Sequence, residues 1–235
     1  MLPNNTDLPT LLHDRILYED NHLLILNKMA GEIVQGDQTG DKPLLETARD
    51  YIRVVGNKPG NVFCGLVHRL DRPVSGAVIF AKTSKCLTRM NELIRQRNIE
   101  KQYWAIVEGH TPAQSDHLIH YLYRNSSNNR SYASDTAKEG WQRAELNYKL
   151  LAASERYSLV EVTLLTGRHH QIRAQLSAIG CPIKGDLKYG ARRSNEDGSI
   201  SLHARRITFE HPVAHVPVEV LAEPFNPLFR KILEG

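Results

Sequence analysis

The sequence predicts a mixed α+β fold, with a mainly antiparallel sheet and flanking helices. Segments of strand character dominate and often follow one another directly, as at Ile16–Glu19 with 23–27 and at 143–152 with 157–165. Helical spacing is confined to Leu44–Val55, 84–97 and 168–179. Parallel strands would need a helical crossover between most pairs, and this pattern does not supply one.

Residues 1–14 read as a loose arm, and 15–235 as one domain. The first strand pair, Ile16–Glu19 and 23–27, leads into the helix Leu44–Val55. Short apolar runs near 63–67 and 77–81 read as buried strands. Leu87, Met90 and Ile94 recur at helical spacing within 84–97, with Ser84 as the N-cap. Residues 101–108 alternate, with Tyr103, Ala105 and Val107 on one face. After a strand at 118–123, residues 124–140 are polar, rich in Asn and Ser and without period, so they read as a surface loop. The strands 143–152 and 157–165 form a hairpin, and Thr166-Gly167 turns the chain into a helix at 168–179. Turns follow at Gly185-Asp186 and Tyr189-Gly190, with Asp186 structural. Closing strands lie at 200–203, 207–210 and 216–221. No internal repeat occurs.

The chain has 235 residues, 41% of them hydrophobic and 24% charged. That is the composition of a globular protein large enough to bury a core without staples. No apolar run has the length of a membrane span, and the first residues lack the pattern of a secretion signal. Three scattered cysteines, Cys64, Cys86 and Cys181, argue against a disulfide framework and for a reducing, cytoplasmic compartment. Their spacing is not that of zinc ligands. The net charge of +4 is a mild basic excess. It concentrates in two clusters, one at Lys82, Lys85, Arg89, Arg95, Arg97 and Lys101, the other at Lys184, Lys188, Arg192, Arg193, Arg205 and Arg206. Solvated faces explain one such run; two of them would suit phosphate contacts if they flank a site for an anionic substrate.

The chemistry concentrates in G-L-V-H-R-L-D-R-P-V-S-G, residues 65–76. Asp71 stands between Arg69 and Arg72, ahead of a turn made by Pro73, Ser75 and Gly76. A carboxylate on a strand-to-strand loop, with a guanidinium near enough to favour its ionised form, can act as a nucleophile or a general base. A structural ion pair pinning the turn is the competing reading. Tyr103, taken alone, is a core aromatic. Arg168 would stand at a helix N-terminus, where a cation is unfavourable without an anionic partner. Such broken local rules tend to mark function, although Arg168 facing solvent would also explain it.

Taken together, these segments resemble the RluA-like family of pseudouridine synthases. The resemblance runs in order through 16–31 (I-L-Y-E-D-N-H-L-L-I-L-N-K-M-A-G), 68–76, 101–109 (K-Q-Y-W-A-I-V-E-G), 165–173 (L-T-G-R-H-H-Q-I-R), 180–190 and 202–213. It implies the pseudouridine synthase fold, a mixed sheet around a central catalytic cleft. It also implies Asp71 as the catalytic aspartate, Tyr103 as the active-site tyrosine and Arg168 as the partner of the aspartate. The chain departs from the family's usual pattern at Met29 (proline), Val74 (threonine) and His170 (threonine or lysine). The resemblance begins near residue 15, so the extra N-terminal RNA-binding domain of many members is expected to be absent.

The implied reaction isomerises specific uridines of structured RNA, ribosomal or transfer, without cofactor or metal, by a protein read as a monomer. The target base must leave its stack for a pocket. Asp71 would begin the reaction, by attack on sugar or base or by taking a sugar proton. Arg168 would keep it ionised, and Tyr103 would stack on the flipped base. The candidate RNA-binding residues are His68, Arg69, Arg72, Lys101, Arg173 and Lys188. Among these, Arg69 could instead brace the loop and His68 could be structural. Residues 124–140 are either mobile or ordered by RNA contact. His169 and His170, adjacent on a helix, would point apart and make poor co-ligands. A non-catalytic RNA-binding module using the same basic faces is the alternative. A carboxylate hydrolase would need a second catalytic carboxylate or a metal cluster, which the spacing does not offer.

Overall fold

A computed structural model describes residues 12–37 and 39–234. Of the expected arm, residues 1–11 lie outside the described residues, and Leu12 is buried. The chain divides into two compact units, one ending at Ile99 and resumed over Arg206–Glu223, the other formed by Glu100–Arg205 with the residues from Pro224 onward. The sheet pairings are antiparallel and the helices few, which is the α+β class expected.

In the first unit, β1 (Ile16–Glu19) pairs with β2 (Leu23–Lys28), and β2 pairs with β4 (Ser75–Ala81). The short β3 (Gly65–Leu66) also pairs with β4. Helix α1 (Leu44–Val55) has the limits that its spacing predicts. Helix α2 (Ser84–Arg95) buries Cys86 and Met90 against Ile25, Ile79, Ile207 and Val220. Its N-cap is Thr83, not Ser84: the Thr83 hydroxyl accepts from the Cys86 amide at 3.2 Å. Residues 206–210 pair with β11 (Pro217–Leu221).

The second unit carries β5 (Ile99–Glu108), β6 (Ser115–Asn125), β7 (Arg130–Ser134), β8 (Gln142–Ala153) and β9 (Tyr157–Leu164), in the order β5-β9-β8-β6-β7. Helix α3 (Gln171–Ala178) lies on one face of this sheet. Its Gln175 amide donates to the Leu118 and Ala144 carbonyls, and Ala174 packs with Leu122 and Ala144. Helix α4 (Leu228–Leu233) seats Phe229 and Ile232 against Ile106 and Leu159.

Several expected elements differ. Residues 124–140 are not all loop: β7 forms there and pairs with β6, setting Tyr132 opposite Tyr123. Its buried anchor is Ser131, a polar residue, so no hydrophobic period announces it. The two strands expected at 200–203 and 207–210 are one, β10 (Leu202–Glu210). Arg205 interrupts the apolar pattern there, yet its guanidinium lies 4.7 Å from the Trp104 ring centroid. The helix expected at 168–179 begins only at Gln171, because His170 adopts a left-handed φ of 51°.

Candidate active site

Asp71 sits half-buried on the loop joining β3 to β4. The turn is tighter than expected: the Val74 amide donates to the Asp71 carbonyl at 3.1 Å, and Ser75 and Gly76 already belong to β4. Gly76 has a φ of 116°, which a side chain would disfavour, and it pairs in register with Lys28.

Lys28 is the residue that sequence reasoning passed over. Its side chain is fully buried at the end of β2. The ammonium donates to the carbonyls of Met29, Arg72 and Val74, at 3.0, 3.1 and 2.6 Å. All its donors are thus matched by backbone acceptors, two of them on the Asp71 loop. Burial pushes its pKa down from 10.5 to about 8, against the opposing pull of Glu32 and Asp71. The Gly31 amide also donates to the Arg72 carbonyl, at 2.8 Å. Met29 stands where the resembling family usually has proline, and its amide donates to Glu32 at 2.8 Å, a bond proline could not make. Glu32 in turn takes Arg15 bidentately.

Tyr103 is buried on β5, opposite Val162 of β9. Arg168 is exposed, on the turn after β9. It lies two residues ahead of the N-cap, His170, rather than in the first turn, so the expected conflict with the helix dipole is weakened. The Gln171 side chain organises this turn. Its oxygen accepts from the Arg168 amide at 3.0 Å and the Thr166 hydroxyl at 2.8 Å, while its nitrogen donates to the Glu145 carbonyl at 2.9 Å. The Arg168 Nε donates to the Arg143 carbonyl of β8 at 3.2 Å.

His169 and His170 are not on the helix and do not point apart. Their rings stack with centroids 3.8 Å apart. Nδ1 of His169 bonds Ser131 of β7, and Nδ1 of His170 bonds the Tyr189 hydroxyl.

The expected RNA-binding residues fare unequally. Arg69, Arg72 and Lys188 are exposed. Arg72 is paired with Asp41 at 2.7 Å, so a phosphate would have to displace that carboxylate. Lys188 donates to the Asn128 and Asn129 carbonyls at the β6–β7 turn. His68 is half-buried, and its Nε2 accepts from the Ile79 amide at 3.3 Å, the structural role weighed for it. Lys101 is half-buried, and desolvation holds its pKa below the ordinary lysine value. Arg173 is a correction: its side chain is 7% exposed and grips the 1% exposed Asp186 at 2.6 Å, so it is a core ion pair and does not face RNA. The two basic clusters are likewise thinned by internal contacts, Lys82 to Glu19, Arg89 to the Pro212 carbonyl and Arg206 to Glu219.

Asp71 belongs to the first unit, and Tyr103 and Arg168 to the second. All three fall within residues 22–178, which match the family model described as RNA pseudouridylate synthase. The chain is 31% identical over 238 residues to the ribosomal large subunit pseudouridine synthase C of Buchnera aphidicola subsp. Baizongia pistaciae, covering 98% of this chain and 73% of the relative. It is 34% identical over 203 residues to the uncharacterized RNA pseudouridine synthase YhcT of Bacillus subtilis, covering 84% and 64%. The fold is that of the human RNA pseudouridylate synthase domain containing 4, with a TM-score of 0.81 at 22% identity over 100% of this chain and 97% of that one. The chain therefore belongs to the RNA pseudouridylate synthase family and is an isomerase of uridine in RNA.

Proposed function

We propose that this isomerase acts on ribosomal RNA of the large subunit, with Asp71 as its catalytic carboxylate. Relatives named as ribosomal large subunit synthases, at 31–33% identity over most of the chain, support that RNA class. The observation that carries the role of Asp71 is the clamp beneath its loop, in which the buried Lys28 ammonium holds the Arg72 and Val74 carbonyls. A carboxylate whose following backbone is fixed at two carbonyls meets the positional demand of catalysis.

In the reaction, the bond from the ribose C1′ to the uracil N1 breaks. The base turns and a bond forms from C1′ to C5. The C5 proton is lost and N1 gains one, so no net redox change occurs. Asp71 opens this sequence. Tyr103 and Arg168 take the parts that the resemblance gives them, the aromatic partner of the base and the cation serving the carboxylate. Arg69 and Arg72 contact phosphates near the target. We further propose that residues 15–235 act as one catalytic domain, in a cytoplasmic monomer. Cys64, Cys86 and Cys181 are buried and unpaired, which suits a reducing compartment.

The test is pseudouridine mapping of total RNA by carbodiimide labelling and primer extension. It compares a strain lacking the gene, the same strain with the wild-type gene restored, and that strain carrying Asp71→Ala. A large-subunit site lost on deletion and regained only with the wild type is the expected result. A site regained with Asp71→Ala would remove the role given to Asp71. A change confined to transfer RNA would overturn the ribosomal substrate.

A further inference from the structure

We infer that the outward face of the β6–β7–β8 sheet edge is a stacking platform for unpaired nucleotides of the RNA substrate. The inference rests on the RNA-modifying activity above and adds a second contact surface, separate from Asp71.

The face is built by strand alternation. On β6, Leu118, His120 and Leu122 point into the unit, while His117, Ile119, Tyr121 and Tyr123 point the other way. Register places Tyr132 of β7 directly opposite Tyr123, and Arg143 of β8 directly opposite Tyr121. Trp141 adds a third ring, its centroid 5.7 Å from that of Tyr123 with an interplanar angle of 30°. Rings that served only as packing would be covered, yet Tyr123 is 46% and Tyr132 38% exposed. Flat, exposed aromatics on a sheet surface are a receptor for nucleobases, because every base offers a π-face.

The charges favour a polyanion. Lys138 lies 4.8 Å from the Trp141 ring centroid, and Arg130 lies 5.2 Å from the centroids of both Tyr132 and the buried Tyr189, so cations border the rings. Arg143, 55% exposed and shared with Glu145 at 3.3 Å, extends the basic edge toward Arg168, whose side chain its own carbonyl holds. An unpaired strand laid on the rings would thus lead toward Arg168, with its phosphates near Lys138 and Arg143. The hairpin is held in place for this. Lys188 ties its turn, and Ser131 fastens the opposite face of β7 to His169 and Tyr189. A preformed platform loses little entropy on binding.

The experiment uses the full chain and a fluorescein-labelled, unpaired oligoribonucleotide of about ten nucleotides, within the usual span of such sites, beside a duplex of the same sequence. Anisotropy titrations compare wild type with paired substitutions of Tyr123 and Tyr132 to Ala, Leu or Phe. Uridine conversion and sedimentation velocity are followed in parallel. The expected result is a loss of single-strand affinity on the order of tenfold per ring for Ala. Leu should lose nearly as much, because it keeps apolar bulk without a flat face, and Phe should bind like wild type. Duplex affinity should not change. The Leu and Phe pairs keep the outcome readable if the Ala pair fails to fold. Wild-type affinity in the Leu pair, with uridine conversion intact, would overturn the platform and leave the isomerase reading standing. A wild-type protein that neither binds RNA nor converts uridine would remove both. A dimer in the wild type that dissociates in the Leu pair, with RNA affinity unchanged, would make the face an interface between copies and overturn the inference.

Discussion

The Asp71 loop and the Arg168 turn are fastened in opposite ways. The first is held through its main chain, by one buried cation that gathers three carbonyls within a few residues of Asp71 or next to Lys28 itself. The second is held through side chains, by Thr166 and Gln171, whose common anchor is the Glu145 backbone on β8. The Arg168 turn depends on two neutral hydrogen-bonding groups and a strand more than twenty residues away in sequence. On the proposed roles, the reacting carboxylate is set by one strong fixture, and the solvent-exposed cation by several weaker ones.

The largest expected effect separates chemistry from this scaffolding. Asp71→Asn keeps the shape of the side chain, and the clamp beneath it is made by carbonyls. Turnover should fall on the order of a thousandfold or more, far beyond what losing the carboxylate's pull on the Lys28 ammonium does to the melting temperature. Single-turnover conversion of a uridine substrate beside a thermal melt would check this. Residual activity within tenfold of wild type would show that the fixed loop serves something other than a reacting carboxylate.

Next in size is Arg173→Met. It strands the buried Asp186 carboxylate and should lower stability by about 3–5 kcal/mol, as read by urea denaturation. RNA affinity measured well below the melting temperature should not change, since Arg173 is enclosed. A variant of normal stability and weakened RNA binding would return Arg173 to the role that its sequence position suggested.

Arg173 also shows why only part of the site was legible. The Asp71 segment is contiguous, so its residue types and spacing can be read along a line. Helix α1 and the β8–β9 hairpin were legible for the same reason, because their hydrophobic periods are local. Arg173 sits in the same short motif as Arg168, and nothing in the line tells which of the two faces inward. That depends on Asp186, which arrives from another segment. Strand β7 was missed because its inward residue is Ser131, held by hydrogen bonds and not by apolar burial. Lys28 did leave a signal, a lysine closing the apolar run L-L-I-L-N-K. Lysines are rarely buried, so the run alone marks Lys28 as a strand end facing water.

Lys28→Met tests the main-chain fixture. Removing the ammonium leaves carbonyls unmatched and should cost roughly 3 kcal/mol, with slower turnover as the Asp71 loop loosens. Its pH signature has a definite sign. Between about 8 and 10.5 the folded chain has released the Lys28 proton while the unfolded chain still holds it. The unfolded state then binds more protons, so this lysine makes stability rise with pH through that window. Below about 8 both states are charged, and the burial penalty is present in full. The wild type minus the variant in stability should therefore increase from pH 8 to 10, as measured by urea titrations. A flat difference would mean that the ammonium is better solvated than its burial implies.

The smallest effect belongs to the side-chain fixture. Gln171→Leu removes the group that accepts from the Arg168 amide and the Thr166 hydroxyl, and it should cost about 1–2 kcal/mol. That is less than for Lys28, because a neutral amide is lost and Leu165 and Thr166 still donate their backbone amides to Glu145. The informative readout is the ratio of effects on activity and stability. If Arg168 serves the carboxylate, a loosened turn lowers kcat more than KM, and Gln171→Glu recovers part of it by restoring the acceptor. If stability falls and kcat does not, the turn is fastened for folding alone, and the contrast between the two fixtures lies in strength and not in function.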